Sequence, residues 1–377
     1  MLEIFNYPVS GIMKAWHFLL QNVLGMDSSL SWLISIVLLV ITVRTLIAPI
    51  TWVAVRSGRV SAMMRPEKEA IEREYRDATD VDSVAARDKA LKELNKRYRY
   101  RPAAGCLPPL IMFPAFIGLY RVVFYMASPD NHGADANVGM LTPEEIASFR
   151  DATYRDVPLT AFPAMPQDWA QSMGVTGEQV FNTILPLLIA AITFTVVNMA
   201  MSLYRSYWTT DFSSTVMRRM FYFMIFMGVF LFPWLLWTVA TTGPVPVAIV
   251  LYWFCSNLYT LLQTISFNWL VHRKYPLEDI HHEVRRRSWK TFRDKKQARK
   301  DLKRRKRKAR FNKEERAKLQ EDLARQKEES QALKARRKEI SKAQNKARQE
   351  IRKAKLEQAQ ERAKEAKEAK SNNQPEE

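Results

Sequence analysis

Apolar and polar positions are not interleaved along this chain; they fall into long separate blocks. Five blocks, at residues 30–55, 107–126, 180–203, 219–240 and, after a short turn, within 241–270, are almost wholly apolar and contain no Asp or Glu. About 20 helical residues cross the hydrocarbon layer, so each block is long enough to span it. Backbone N–H and C=O groups in lipid must be satisfied within the segment, which predicts helices. Trp32 and Trp52 bracket the first block. Twenty residues at a rise of about 1.5 Å separate them by about 30 Å, the thickness of the hydrocarbon layer, as expected of aromatic residues at the two interfaces.

The remaining segments are polar in different ways. In residues 1–29, Phe5, Val9, Ile12, Met13, Trp16, Leu19, Leu20 and Val23 recur at helical spacing, with Ser10, Lys14, His17 and Gln21 on the other side. This predicts an amphipathic helix lying on the outer membrane surface. The segment lacks the basic start, long apolar run and small-residue site of a signal peptide. Residues 56–106 predict a helical hairpin, with charged helices near 60–77 and 82–99, a turn at 78–80, and opposite charges at helical spacing (Glu69 with Arg73, Glu72 with Arg76). Residues 127–179 carry many turn formers, among them Pro163 and Pro166, and predict irregular chain. Residues 204–218 form a short loop.

Charge sets the orientation. Residues 1–270 are nearly neutral, with 21 Lys+Arg against 20 Asp+Glu; the tail, residues 271–377, has 37 against 19. The 56–106 loop has 13 basic and 9 acidic residues, whereas 127–179 has Arg150 and Arg155 against eight acids. The positive-inside bias places 56–106, 204–218 and the tail in the cytoplasm, and the N-terminus and 127–179 outside. The fold expected is an all-α membrane protein of five spans, N-terminus out and C-terminus in. The tail has no continuous apolar face; it predicts disorder or ligand-induced helix rather than a core. Its run Lys303, Arg304, Arg305, Lys306, Arg307 and Lys308 suits phosphate contact, with RNA or anionic lipid as partner.

The chemistry concentrates on Arg44, near the middle of the first span. A charge there costs about 2.5–3.5 kcal/mol on insertion scales. No carboxylate lies in any span, so water or neutral polar groups must solvate it. Ser256, Asn257, Thr260, Gln263, Thr264 and Asn268 form a polar stripe on the fifth span; Thr195, Asn198 and Ser202 form one on the third. The simplest arrangement is a wet cavity lined by spans 1, 3 and 5 around Arg44. Helix–helix hydrogen bonding is the alternative use of the same stripes. The methionines Met217, Met220, Met224 and Met227 suit ordinary packing. No P-loop, metal motif or nucleophile–base set is present, and His281 and His282 sit beside a basic run. A non-enzymatic protein without cofactor or metal is expected. Insertion of client segments, solute or ion transport, and ribosome tethering are the three function classes left open.

The ordered motifs bear a resemblance. Thr42-Val43-Arg44 followed by Pro49, then Gly105-Cys106-Leu107-Pro108-Pro109-Leu110 with Pro114 and Leu119-Tyr120, then Ile184-Leu185-Pro186, then Leu251-Tyr252 with Ser256-Asn257-Leu258, Thr260 and Gln263, together resemble the YidC/oxidase-assembly family of membrane protein insertases, over about residues 4–275. The resemblance implies insertion of nascent membrane proteins without nucleotide hydrolysis, alone or beside the Sec translocon, in a bacterial plasma membrane, and an actinobacterial, Gram-positive type. It implies that Arg44 is the arginine of a positively charged groove, with Asn198, Ser256, Asn257, Thr260 and Gln263 beside it, and that the basic tail contacts the ribosome. Asn198 stands where many members carry Gln, and Thr242-Gly243-Pro244-Val245-Pro246 departs from the usual Pro-Ser-Gly link.

Overall fold

A computed structural model describes residues 6–101, 103, 107–127, 137–212, 214–309 and 313–371. Phe5, Gly105, Cys106, His132 and Phe311 lie outside the described residues. The described chain is mostly helical, with one short hairpin and a few connecting stretches. It divides into two compact units, residues 1–62 with 101–276 and residues 63–100 with 277–377.

In the first unit, α1 (Asn6–Phe18) continues into a π turn (Leu19–Val23), and the 36-residue α2 (Ser28–Met63) begins soon after. Among the described residues, four helical segments are long and apolar enough to cross a membrane: α2; α8 (Gly177–Thr209); the pair α9 (Thr215–Phe226) and α10 (Phe232–Thr242), joined by a π turn at Met227–Leu231; and α11 (Val247–Lys274). The 107–126 block forms α5 (Leu107–Ala127), whose apolar stretch 116–126 is shorter. The α2, α8 and α11 helices run in the same direction. Arg44 meets Ser256 and Arg59 meets Tyr275; Thr195 meets Asn257 and Arg205 meets Asn268. The α8–α11 pair is the most extensive helix contact. Along α9 and α10, Phe223, Phe226, Phe230 and Trp234 are exposed, the surface expected to face lipid.

Residues 137–176 depart from the expectation of irregular chain. They fold into α6 (Pro143–Asp151), a hairpin of β1 (Thr153–Tyr154) and β2 (Val157–Pro158), and α7 (Gln167–Ser172). Thr142 and Glu145 make a reciprocal capping box with Pro143 in the first turn. Arg155 and Asp156 both take positive φ (53° and 64°), as a two-residue hairpin turn requires. Leu141, Phe149, Leu159 and Ala161 are fully buried. The extended chain at 159–161 caps α11: Val247 N donates to Ala161 O at 2.9 Å and Ala248 N to Leu159 O at 3.0 Å. Two first-turn N–H groups that a helix leaves orphaned are thereby satisfied. The capping-box spacing Thr-x-x-Glu was legible; residues 153–161 lack a periodic signal because their partners are distant in sequence.

Trp32 is 0% exposed, packed inside the protein. His17 stacks on it at 3.7 Å, Phe149 meets it edge-on at 5.3 Å, and its Nε1 donates to Ser148 Oγ at 3.1 Å. The α1 helix presents Asn6, Val9, Ser10, Met13 and His17 inward and packs on α5, while Phe18, Leu19 and Val23 are exposed. Ser10 and His17, expected on the solvent side, are inside because they have partners there: Ser10 Oγ accepts from Met140 N, and His17 Nδ1 bonds Ser31 Oγ at 2.6 Å.

The second unit contains α3 (Arg65–Glu74), α4 (Val81–Arg97), α12 (Asp279–Lys308) and α13 (Lys313–Ser371). Pro66 lies in the first turn of α3, and Asp80 caps α4 by accepting from Ser83 N at 2.8 Å. The ion pairs along α3 are Arg65–Glu69 and Lys68–Glu72 rather than the pairings read from spacing. Glu67 joins α3 to the end of α4 by accepting from Arg97 at 2.8 Å and from the Tyr98 phenol, which its carboxylate holds above the ordinary tyrosine range. Where the tail predicts disorder or induced helix, 279–308 and 313–371 are helical. The α13 helix lies on α4 and the turn before it: Arg348 pairs with Asp88 (3.2 and 3.3 Å), Gln344 donates to Ala78 O (3.0 Å) and Arg336 meets Asp77 (3.7 Å), while Ala347 of α13 and Val84 of α4 are buried. The partners lie some 260 residues away, out of reach of local patterning.

Candidate functional site

Pro49 lies inside α2, five residues beyond Arg44, and supplies no N–H to the ladder. Upstream of it, Thr42 Oγ1 donates to Leu38 O and accepts from Trp16 Nε1 (3.0 Å), and Thr45 Oγ1 meets Tyr259 OH (3.0 Å). Between these two threonines Arg44 extends to α11. Its Nε donates to Ser256 Oγ at 3.2 Å, and one terminal nitrogen donates to the same hydroxyl. Ser256 is 4% exposed.

Arg44 and Ser256 lie in the wall of a recess of about 350 Å³ lined also by Phe113, Phe116, Tyr252, Trp253 and Asn257. Among the described residues, no carboxylate lines it. Tyr252 precedes Ser256 by one helical turn, and Phe113 and Phe116 are three apart on α5, so each pair shares a face. These aromatic walls were not singled out from sequence; their spacing relative to Ser256 carried the only signal. Four aromatic side chains beside one guanidinium make a pocket that suits an amphipathic guest with an acidic or polar end.

The recess is therefore built by α2, α5 and α11, not by α2, α8 and α11 as expected. The polar residues of α8 turn to a separate network. Thr195 Oγ1 lies 3.0 Å from Asn257 Oδ1, Asn198 Nδ2 donates to Asn257 O at 3.1 Å, and Asn257 Nδ2 donates to Trp253 O at 2.9 Å. Adjacent helical residues are about 100° apart around the axis, so Ser256 addresses α2 while Asn257 addresses α8. Thr260 Oγ1 donates back to Ser256 O at 2.7 Å, within its own helix. Asn198 Oδ1 and Gln263 Nε2 are buried without a hydrogen-bond partner among the described residues. Of the six groove residues expected, the structure thus gathers Arg44, Ser256 and Asn257 at the recess, ties Asn198 to Asn257, and leaves Thr260 and Gln263 further along α11. The six basic residues Lys303 to Lys308 lie in the last turns of α12, all exposed, with Arg305 paired to Asp322 at 2.8 Å. Among the described residues, no cluster of His, Cys, Asp and Glu is arranged to hold a metal ion.

Residues 23–274 match the family described as 60Kd inner membrane protein. A protein of Corynebacterium glutamicum named membrane protein insertase YidC is 44% identical over 288 residues, covering 75% of this chain and 68% of the relative. One of the same name from Corynebacterium efficiens is 42% identical over 306 residues, covering 79% and 76%. A third, from Mycobacterium leprae, is 27% identical over 276 residues, covering 70% and 68%. The helices that carry Arg44, Asn198 and Ser256 all fall inside the matched region, and the chain belongs to the 60Kd inner membrane protein family, alongside these actinobacterial insertases.

Proposed function

We propose that this protein moves client transmembrane segments from the cytoplasm into the bilayer, with Arg44 holding the polar or acidic flank of the client while its apolar part passes into lipid. The observation that carries the reading is a guanidinium in the wall of an open recess whose described lining has four aromatic side chains and no carboxylate. A recess of about 350 Å³ has room for on the order of ten waters at about 30 Å³ each, enough to keep the charge hydrated between clients. Attraction to an acidic flank is strengthened by the low dielectric around it.

The parallel course of α2, α8 and α11 supports a five-span layout. Each pair of parallel spans needs one return crossing, for which α5 and the α9–α10 pair are available. With the basic segments inside, the N-terminus and residues 127–179 then lie outside and α12 and α13 in the cytoplasm. The basic end of α12 suits a ribosomal RNA contact, anionic lipid offering a second phosphate surface. Action alone or beside the Sec translocon fits the same geometry.

The test is insertion by proteoliposomes of a client with an acidic outer segment. Arg44→Ala lowers insertion, Arg44→Lys retains part of it, and Arg44→Glu abolishes it for that client. Normal insertion by both Arg44→Ala and Arg44→Glu refutes a role for the groove charge. Deleting residues 271–377 lowers ribosome co-sedimentation and leaves partial insertion; complete loss of insertion makes the protein a tether instead.

A further inference from the structure

A second recess, of about 430 Å³, lies further along the three parallel helices α2, α8 and α11, towards their C-terminal ends. Two arginines line it. Arg205 donates from its two terminal nitrogens to Asn268 Oδ1 (3.2 Å) and Ser202 Oγ (3.3 Å). Arg59 donates through Nε to Tyr275 O (2.9 Å). A guanidinium has five N–H donors, so these three bonds leave most of the pair's donors uncommitted among the described residues. No Asp or Glu lines the recess, and neither arginine has an ion-pair partner among the described residues. The remaining lining is partly apolar, with Ala54, Val55, Val271 and Trp208 beside Gly58, and partly polar, with Thr51, Ser206 and His272.

Its depth identifies the guest. Arg59 is 15 residues beyond Arg44 on α2, about 22 Å along the helix; Asn268 is 12 beyond Ser256 on α11, about 18 Å. Half the hydrocarbon layer is about 15 Å. With Arg44 near mid-depth, the recess is therefore at the level of the headgroups. Exposed Tyr204, and exposed Trp269 with the Arg273 guanidinium 5.4 Å from its ring centre, mark the same level as an aromatic, cationic belt. A basic pocket between spans on the cytoplasmic side is the type of site that holds a lipid phosphate.

We propose that this recess binds the phosphate of an anionic phospholipid, Arg59 and Arg205 clamping the headgroup and the wall of Ala54, Val55 and Trp208 receiving the start of its acyl chains. The placement on the cytoplasmic side depends on the orientation argued above; the binding itself does not, and it is measured without any insertion step. Gly58 gives access, since a Cβ built there meets nothing within 4 Å. The lipid is distinct from any attracted by the basic tail, because the recess lies wholly in the first unit.

The experiment uses the full-length protein in mild detergent, titrated with phosphatidylglycerol, phosphatidylcholine or inorganic phosphate and read by native mass spectrometry. A basic residue near an anionic surface is worth about fivefold in affinity, so Arg59→Gln/Arg205→Gln should weaken the tightest phosphatidylglycerol by on the order of 25-fold. Gly58→Leu, which fills the recess and leaves both arginines, should weaken it as well, while Arg273→Gln, outside the recess, should change it little. In wild type alone, a photoactivatable phosphatidylglycerol should label 202–208 and 268–272, which keeps the test decisive when a variant fails to accumulate. Equal retention of phosphatidylcholine, full competition by millimolar inorganic phosphate, labelling confined to the tail, or unchanged affinity in both the double variant and Gly58→Leu overturns the proposal. Crosslinking of an acidic client segment in place of the lipid also overturns it.

Discussion

Replacing Ser256 by Ala reads out how Arg44 is solvated. The substitution removes a hydroxyl that accepts two guanidinium N–H groups and is itself 4% exposed. Were the site dry, the donors would be stranded, and losing a hydrogen bond to a charged group would cost about 1.5–3 kcal/mol. With room for on the order of ten waters beside it, the guanidinium finds replacement acceptors. The expected cost is then close to the average of about 0.6 kcal/mol for interhelical hydrogen bonds in membranes. The assay is a double-mutant cycle of Ser256→Ala and Arg44→Leu, followed by reversible unfolding in mixed micelles and by client insertion. A coupling energy below about 1 kcal/mol, with insertion kept in Ser256→Ala and lost in Arg44→Leu, is the result expected. A coupling above about 2 kcal/mol, or equal insertion defects in the two single variants, refutes the wet recess and makes Arg44 a structural residue held by Ser256.

The α8–α11 network should respond differently: Thr195→Val and Asn257→Ala should show a coupling of about 0.6 kcal/mol in unfolding and no client selectivity, and a charge-dependent insertion defect would place Asn257 in the client path instead. His17 is held below its ordinary pKa of 6.5 chiefly by burial, with Glu145 opposing. The unfolded chain then binds more protons than the folded one near and below pH 6.5, so stability should fall as pH drops from 7.5 to 5.5; a melting temperature equally pH-dependent in His17→Gln counts against this. At Gly139, φ is +63° and a Cβ would strike Ser10, so Gly139→Ala should cost more than about 1 kcal/mol and loosen α1, seen as faster amide exchange at 6–18. The exposed pairs Arg336–Asp77 and Arg348–Asp88 are worth at most about 1 kcal/mol each. Raising salt to 0.5 M should therefore expose 333–348 to proteolysis, and protection that persists would show that α13 is held by something other than these charges.

The legible part of the fold was the part dictated by the solvent. A block of 20 apolar residues has few options in lipid, so the helices at 30–55, 180–203, 219–240 and 241–270 could be read directly. Pairings between distant segments could not. Trp32 reads as a lipid-facing aromatic until Phe149, Ser148 and His17 are brought to it from 15 to 117 residues away. Ser10 and His17 read as solvent-facing because hydropathy scores a polar side chain without knowing its partner. In the site, Arg44 and Ser256 were legible because a charge in an acid-free span demands a polar neighbour. Which stripe answers the demand was not, since the 100° between Ser256 and Asn257 decides it and a stripe drawn along the sequence blurs that angle.

That angle also separates two jobs that one polar stripe appeared to share. A helix bundle that admits a foreign helix must be open on one side yet remain assembled. Asn257 with Thr195 and Asn198 fastens α11 to α8 by hydrogen bonds that no client needs to break. Ser256, one residue earlier, holds Arg44 by a hydroxyl that water or a client oxygen can replace at little cost. A fixed carboxylate in Ser256's place would bind Arg44 more tightly, but it would cancel the charge that the proposed acidic client flank is to meet. For the insertase role proposed above, a neutral, exchangeable acceptor beside the guanidinium and a permanent clasp about 100° round α11 are together what a transient charged groove would require.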